Sequence, residues 1–99
     1  MAQRVYLLSY DIRDKRRLRA MHKVATAYGK RLQYSLYACA LTRTQRINLR
    51  IAVGGVIDAT SDSVIILDLG AMADRESWIP PYESIGVVLQ LETRSSIII

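Results

Sequence analysis

The chain has 99 residues, enough for one modest hydrophobic core and too few for two. An apolar fraction of 51% excludes a disordered chain, and no run approaches the ~18 apolar residues of a membrane span. The net charge of +5 conceals an asymmetry: residues 1–50 hold 12 Lys/Arg against two Asp (+10), whereas residues 51–99 hold two Arg against seven acids (−5).

Residues 5–11, VYLLSYD, read as a strand that is apolar on both faces and ends on Asp11. Asp14 is placed to cap a helix over residues 15–28, in which Leu18, Met21, Ala25 and Tyr28, with Val24 beside them, form the core stripe. Arg16, Arg19 and Lys23 make a second, cationic stripe, with Arg17 flanking it. Gly29 is expected to stop this helix in a left-handed conformation, and His22, without a second His or Cys at ligand spacing, reads as a helix-surface residue.

Residues 30–41 are rich in strand formers and fit one kinked strand or two short ones. Within them the lone Cys39 reads as a small apolar strand residue, in keeping with a reducing cytoplasm. Thr42-x-x-Gln45 is a capping-box signature that opens a second helix, with Ile47 and Ile51 on one stripe and Leu49, Val53 and Val56 on its neighbour. Arg43, Arg46 and Arg50 form another basic row, and the helix is expected to reach Ile57 despite Gly54-Gly55. Residues 58–62 make a turn, and residues 63–69 a further doubly apolar strand. Trp78 anchors an irregular stretch, residues 85–92 alternate as a late strand, and Ile97, Ile98 and Ile99 call for packing across subunits.

Two helices alternating with four strands predict an α+β, ferredoxin-like βαββαβ sandwich with an additional C-terminal strand, a single domain over residues 1–99. Its core is expected at about 4–69, with a docking extension at about 70–99. Both helices would lie on one sheet face. The doubly apolar strands then need a cover on the other, which a symmetric homodimer packed sheet to sheet provides.

The dimer bears on the chemistry. One Asp at a strand end usually ties a turn, but a two-fold axis near it brings two Asp11 carboxylates together as an oxygen site that suits Mg²⁺ or Mn²⁺, one ion shared across the dimer. Such an ion activates water for phosphodiester hydrolysis, and no P-loop, Cys/His metal motif or well-placed general-base His competes with it. Eleven arginines against three lysines favour phosphate forks over plain solubility. The candidate nucleic-acid contacts are Arg13, Arg16, Arg17, Arg19, Lys30, Arg31, Arg43, Arg46 and Arg50. Tyr34 and Tyr37, three apart, face opposite ways on a regular strand and make no base-stacking platform.

Residues 5–42 carry a further signal: a strand ending Tyr10-Asp11, a basic helix, Tyr28-Gly29-x-Arg31-x-Gln33-Tyr34-Ser35, then a Tyr-bearing strand and Thr42. This set resembles the second core Cas family, the small CRISPR-adaptation proteins, and Asp58 with SDSVIILDL resembles that family's acidic turn and fourth strand. The resemblance implies a ferredoxin-like homodimer with a divalent metal between the two copies of Asp11, and a late strand that adds to the partner's sheet. It implies an endoribonuclease or deoxyribonuclease, or a DNA-binding adaptor that bridges dimers of the CRISPR integrase, the first core Cas family, during spacer acquisition. The family commonly has Phe-Glu where this chain has Tyr37-Ala38, so no role of that Glu carries over. The VapD-like toxin endoribonucleases share the expected fold and are the alternative family.

Overall fold

A computed structural model describes residues 2–72 and 82–86. The elements run β1 (Arg4–Asp11), α1 (Lys15–Tyr28), β2 (Lys30–Gln33), β3 (Leu36–Leu41), α2 (Arg43–Gly54) and β4 (Ser63–Ala71). They form one antiparallel sheet in the order β2-β3-β1-β4, with both helices on one face, which is the expected βαββαβ ferredoxin-like arrangement.

The period-two alternation of β1 sets the two faces. Tyr6, Leu8 and Tyr10 point toward the helices and pack with Met21 and Ala25 of α1, Tyr37 and Cys39 of β3, and Leu49 and Val53 of α2. Burial pushes the Cys39 thiol up to about 11, so it behaves as an apolar residue. On the opposite face Leu7 pairs with Ala38 and Leu67, and Ser9 with Leu36 and Ile65. Ile65, Leu67 and Leu69 of β4 stand 46–55% exposed there. Residues 82–85 lie near Leu7, Leu36 and Leu69 of this face and enclose with them a cavity of about 330 Å³. A bulge between Val5 and Tyr6 lets β4 pass Leu69, and Gly70 takes the positive φ of 105° there.

Both helix starts match their sequence signals. The Arg17 amide donates to Asp14 Oδ2 at 2.9 Å, and Thr42 and Gln45 exchange the two bonds of a capping box. Residues 30–41 divide into two strands around a turn at Tyr34-Ser35, which leaves Tyr34 exposed and Tyr37 buried. Two expectations need correction. The α-helix α2 ends at Gly54, and the chain reaches Ile57 through amides of Val56 and Ile57 that donate to the Val53 carbonyl. Ile47 and Ile51 are exposed, because Leu49 and Val53 are the α2 residues that meet the core.

The second concerns Gly29, whose φ of −155° is extended and not left-handed. Its requirement is space. A Cβ there would lie 2.5 Å from Cys39 Sγ and 2.6 Å from the Ala38 carbonyl oxygen. Of the expected late strand, residues 85 and 86 are non-strand and the rest lies outside the described residues, as do Trp78 and Ile97, Ile98 and Ile99.

One carboxylate joins the β1–α1 turn to the turn before β4. Asp62, its side chain 0% exposed, accepts from the amides of Arg13 and Asp58, each at 2.9 Å, and from Arg17 Nε at 2.7 Å and Nη2 at 3.1 Å. The Arg17 side chain, then the two amides, hold the Asp62 carboxyl well below the usual carboxylate range against the opposing pull of burial.

Two stability predictions follow from these contacts. Gly29→Ala forces the helix end away from β3 and should cost about 1–3 kcal/mol, the usual range for overpacking. Adding Cys39→Ala should recover only part of that in urea titrations, since the Ala38 oxygen still blocks the methyl. For Asp62 the sign is that of a depressed carboxyl. Its stabilisation is present above the ordinary pKa of about 3.9 and is lost as pH falls through the lower folded value. Asp62→Asn should therefore melt lower than wild type at neutral pH and show a flatter fall in melting temperature below about pH 4. Parallel pH curves for the two proteins would refute this role.

Candidate metal and nucleic-acid site

Asp11 closes β1 on the same face as Val5, Leu7 and Ser9, opposite the helices, and pairs in register with Ser63, the residue after Asp62. Its side chain is 68% exposed, and its ion-pair contact is with Arg13 Nη2 at 3.6 Å. Such a long, exposed contact contributes little to stability, so the carboxylate is free to exchange Arg13 for a stronger ligand. Among the described residues no three His, Cys, Asp or Glu side chains gather into a metal-binding group. A hard cation such as Mg²⁺ is typically held by one or two carboxylates, with waters and phosphate oxygens completing its shell. The exposed Asp11 can supply one carboxylate to such an oxygen site.

The basic residues divide by location. Arg13, Arg16 and Arg19 are exposed on the β1–α1 turn and the first half of α1. Arg17 is in the same stretch, but its guanidinium is taken up by Asp62, which removes it from the expected phosphate contacts. Lys30 is exposed on β2, and Arg31 is half-buried with its guanidinium 5.1 Å from the centre of the Tyr34 ring. Arg43, Arg46 and Arg50 line a groove between α2 and β4 that runs from Arg4 and Ala71 to Val64, on the sheet face opposite Asp11.

A second polar cluster lies behind Asp11 on the helix side. Tyr10 Oη is 2.5 Å from His22 Nδ1, and Tyr10 stacks on Tyr37 with ring centres 6.2 Å apart. Burial, with the Tyr37 phenol beside it, raises the Tyr10 pKa well above the ordinary tyrosine range. Burial and then the Arg31 charge lower that of His22. At neutral pH an uncharged phenol and an uncharged imidazole therefore share this hydrogen bond. This corrects the reading of His22 as a surface residue: it satisfies the one polar atom of a buried tyrosine.

Sequence reasoning also missed Asp62. Residues 58–62 read as a turn, and the only signal was an acid just before a strand with unpaired arginines elsewhere. Nothing local to that turn specifies Arg17, 45 positions earlier, as its partner.

Comparisons with known proteins bear on the family and the fold. The family model described as CRISPR associated protein Cas2 matches residues 4–76. A relative from Geobacter sulfurreducens, named CRISPR-associated endoribonuclease Cas2, is 34% identical over 97 residues, covering 98% of this chain and 99% of its own. Among solved structures, the hypothetical protein TT1823 from Thermus thermophilus superposes with a TM-score of 0.71 at 26% identity, covering 91% of this chain and 99% of that one. Streptococcus pyogenes Cas2 at pH 6.5 gives 0.63 at 28% identity, covering 67% and 86%. The chain belongs to the CRISPR-associated Cas2 family.

Proposed function

We propose that this protein is a divalent-metal-dependent nuclease that hydrolyses phosphodiester bonds at a pair of Asp11 side chains brought together in a symmetric homodimer. The observation that carries this reading is the placement of Asp11 on the sheet face that also presents Ile65, Leu67 and Leu69. Packing that face against a second copy would remove the exposed apolar surface from water and draw the two β1 ends toward one axis. The endonuclease names of relatives from Geobacter sulfurreducens and Halalkalibacterium halodurans support the reaction class.

In this reading Asp11 and the partner's Asp11 hold Mg²⁺ or Mn²⁺. When bound, the cation supplies Lewis acidity to a phosphate oxygen and lowers the pKa of a water. Arg13 releases Asp11 and turns its fork to the phosphate, Arg16 and Arg19 hold neighbouring phosphates from α1, and Lys30 and Arg31 add to the same field. Arg17 acts indirectly. With Asp62 it fixes the turn on which Asp11 and Arg13 stand.

The +10 charge of residues 1–50 favours a second use of the same surface, as an adaptor that holds DNA for the integrase of the first core Cas family during spacer acquisition. Cytoplasmic action fits both uses, and among the described residues no helix is long and apolar enough to cross a membrane.

Asp11→Asn separates the readings. It should lower metal-dependent cleavage of RNA or DNA by at least about 100-fold, some 2.7 kcal/mol of transition-state stabilisation, while gel filtration still shows a dimer. Cleavage that survives Asp11→Asn, or that persists in excess chelator, would sink the nuclease assignment. Spacer integration by that variant in a reconstituted reaction would assign the biological role to the adaptor.

A further inference from the structure

One aromatic ring at the Asp11 end of the sheet is exposed and yet held in place. Tyr34, at the turn between β2 and β3, is 69% exposed, whereas Tyr37 three residues on is buried. A single exposed aromatic needs no explanation by itself. This one is braced. The Arg31 guanidinium lies 5.1 Å from its ring centre, and the His22 ring lies 6.1 Å away at an interplanar angle of 30°. His22 is in turn fixed by its hydrogen bond with Tyr10.

The ring also stands beside the candidate site. The Tyr10 amide donates to the Ser35 carbonyl at 3.2 Å, which carries the β1–β3 pairing one step beyond Ser9 and Leu36. The next residues of the two segments are Asp11 and Tyr34, where neighbouring strands lie about 5 Å apart. Charge lines the approach. Arg16, Arg19 and His22 follow one another at three-residue intervals over about 9 Å of α1, so a chain of phosphates held at the two arginines leads toward Tyr34.

We infer that Tyr34 stacks on one unpaired base of a single-stranded nucleic acid, next to the phosphate bound at Asp11. Every base has a π-face, and a cation packed on the ring adds to such a contact, so the site tolerates any sequence. It reads strandedness instead, because a base inside a duplex has no face to offer. A lone ring is not a two-ring platform: Tyr37 lies in the core, stacked on Tyr10. The role of Tyr34 is positional, setting which phosphate of the strand comes to Asp11. The inference rests on the nucleic-acid reading of the Asp11 site and does not depend on cleavage.

The test uses the full-length Asp11→Asn protein in chelator, so that no cleavage intervenes. Anisotropy then gives the affinity for a short labelled single strand, as RNA and as DNA. Adding Tyr34→Ala should weaken binding about 5- to 150-fold, the usual contribution of one stacked base, and Tyr34→Phe should restore it. On a strand of equal length with abasic sites throughout, the Tyr34 and Tyr34→Ala proteins should bind alike. They should also bind alike to a duplex whose ends are closed by non-nucleotide linkers. The loss with either sugar upholds the site, and the tighter of the two names the natural strand. Unchanged affinity in Tyr34→Ala overturns it. So does an equal loss on the abasic strand or the closed duplex, since the ring would then act through the backbone or the fold. Cleavage by the wild type is read separately. A protein that cuts through Asp11 but is indifferent to Tyr34→Ala keeps the nuclease reading and loses this one, and a protein that never cuts but shows the base-dependent loss does the reverse.

Discussion

Four hydrogen bonds converge on the Asp62 carboxylate, and the geometry of the candidate site depends on them. A carboxylate withdrawn from water is costly unless its lone pairs are met by donors of the right charge, and here one guanidinium and two amides meet them. The consequence is positional. Asp62 immediately precedes Ser63, which pairs with Asp11, and it accepts from the amide of Arg13, two residues beyond Asp11. The end of β1, the start of α1 and the start of β4 are thereby tied at a single point. An exposed Asp11 can then sit at a fixed place without being held by its own side chain.

The same economy governs the arginines. Arg16, Arg17 and Arg19 belong to one short basic run, yet Arg17 turns inward to Asp62 while Arg16 and Arg19 stay in solvent. Removing the Arg17 charge would strand a buried carboxylate, whereas removing either neighbour exposes nothing. A uniform treatment of the run as phosphate contacts conflates a structural guanidinium with free ones. On α2, Arg43, Arg46 and Arg50 form no ion pair among the described residues, where Arg4 holds Asp68. Their charge remains available to an external polyanion.

Much of this was legible before any coordinates. The helix over Lys15–Tyr28, its Asp14 cap, the Thr42–Gln45 box and the strand ending on Asp11 rest on local patterns of a few residues, and local patterns are what a single sequence displays. What stayed hidden is long-range. The Asp62–Arg17 pair spans 45 positions, and the Tyr10–His22 bond requires a strand and a helix to be packed first. Gly29 shows the same limit from another side: a glycine after a helix suggests a left-handed cap, but here the methyl of an alanine would strike Cys39 and Ala38, which only β3 brings near. Of the two apolar stripes on α2, the pattern alone does not say which meets the sheet; Leu49 and Val53 do, and Ile47 and Ile51 stay exposed.

Tyr10 and Asp11 show why the clamp matters for function. They are consecutive, so the pleat sends one to each face of the sheet. Tyr10 is buried with its hydroxyl on His22, and Asp11 stands in solvent on the face opposite the helices. A buried aromatic and a solvent-facing carboxylate are thus assigned to neighbouring residues by parity alone. A slip of β1 by one residue would exchange them, driving a carboxylate into the core and a tyrosine into the site. Pairing with β3 and β4 on both sides resists that slip along the strand, and Asp62, by holding the Arg13 amide, resists it at the end where the pairing stops. The position of the candidate metal ligand is therefore a property of the register, and the buried carboxylate is what carries that register past the last strand residue.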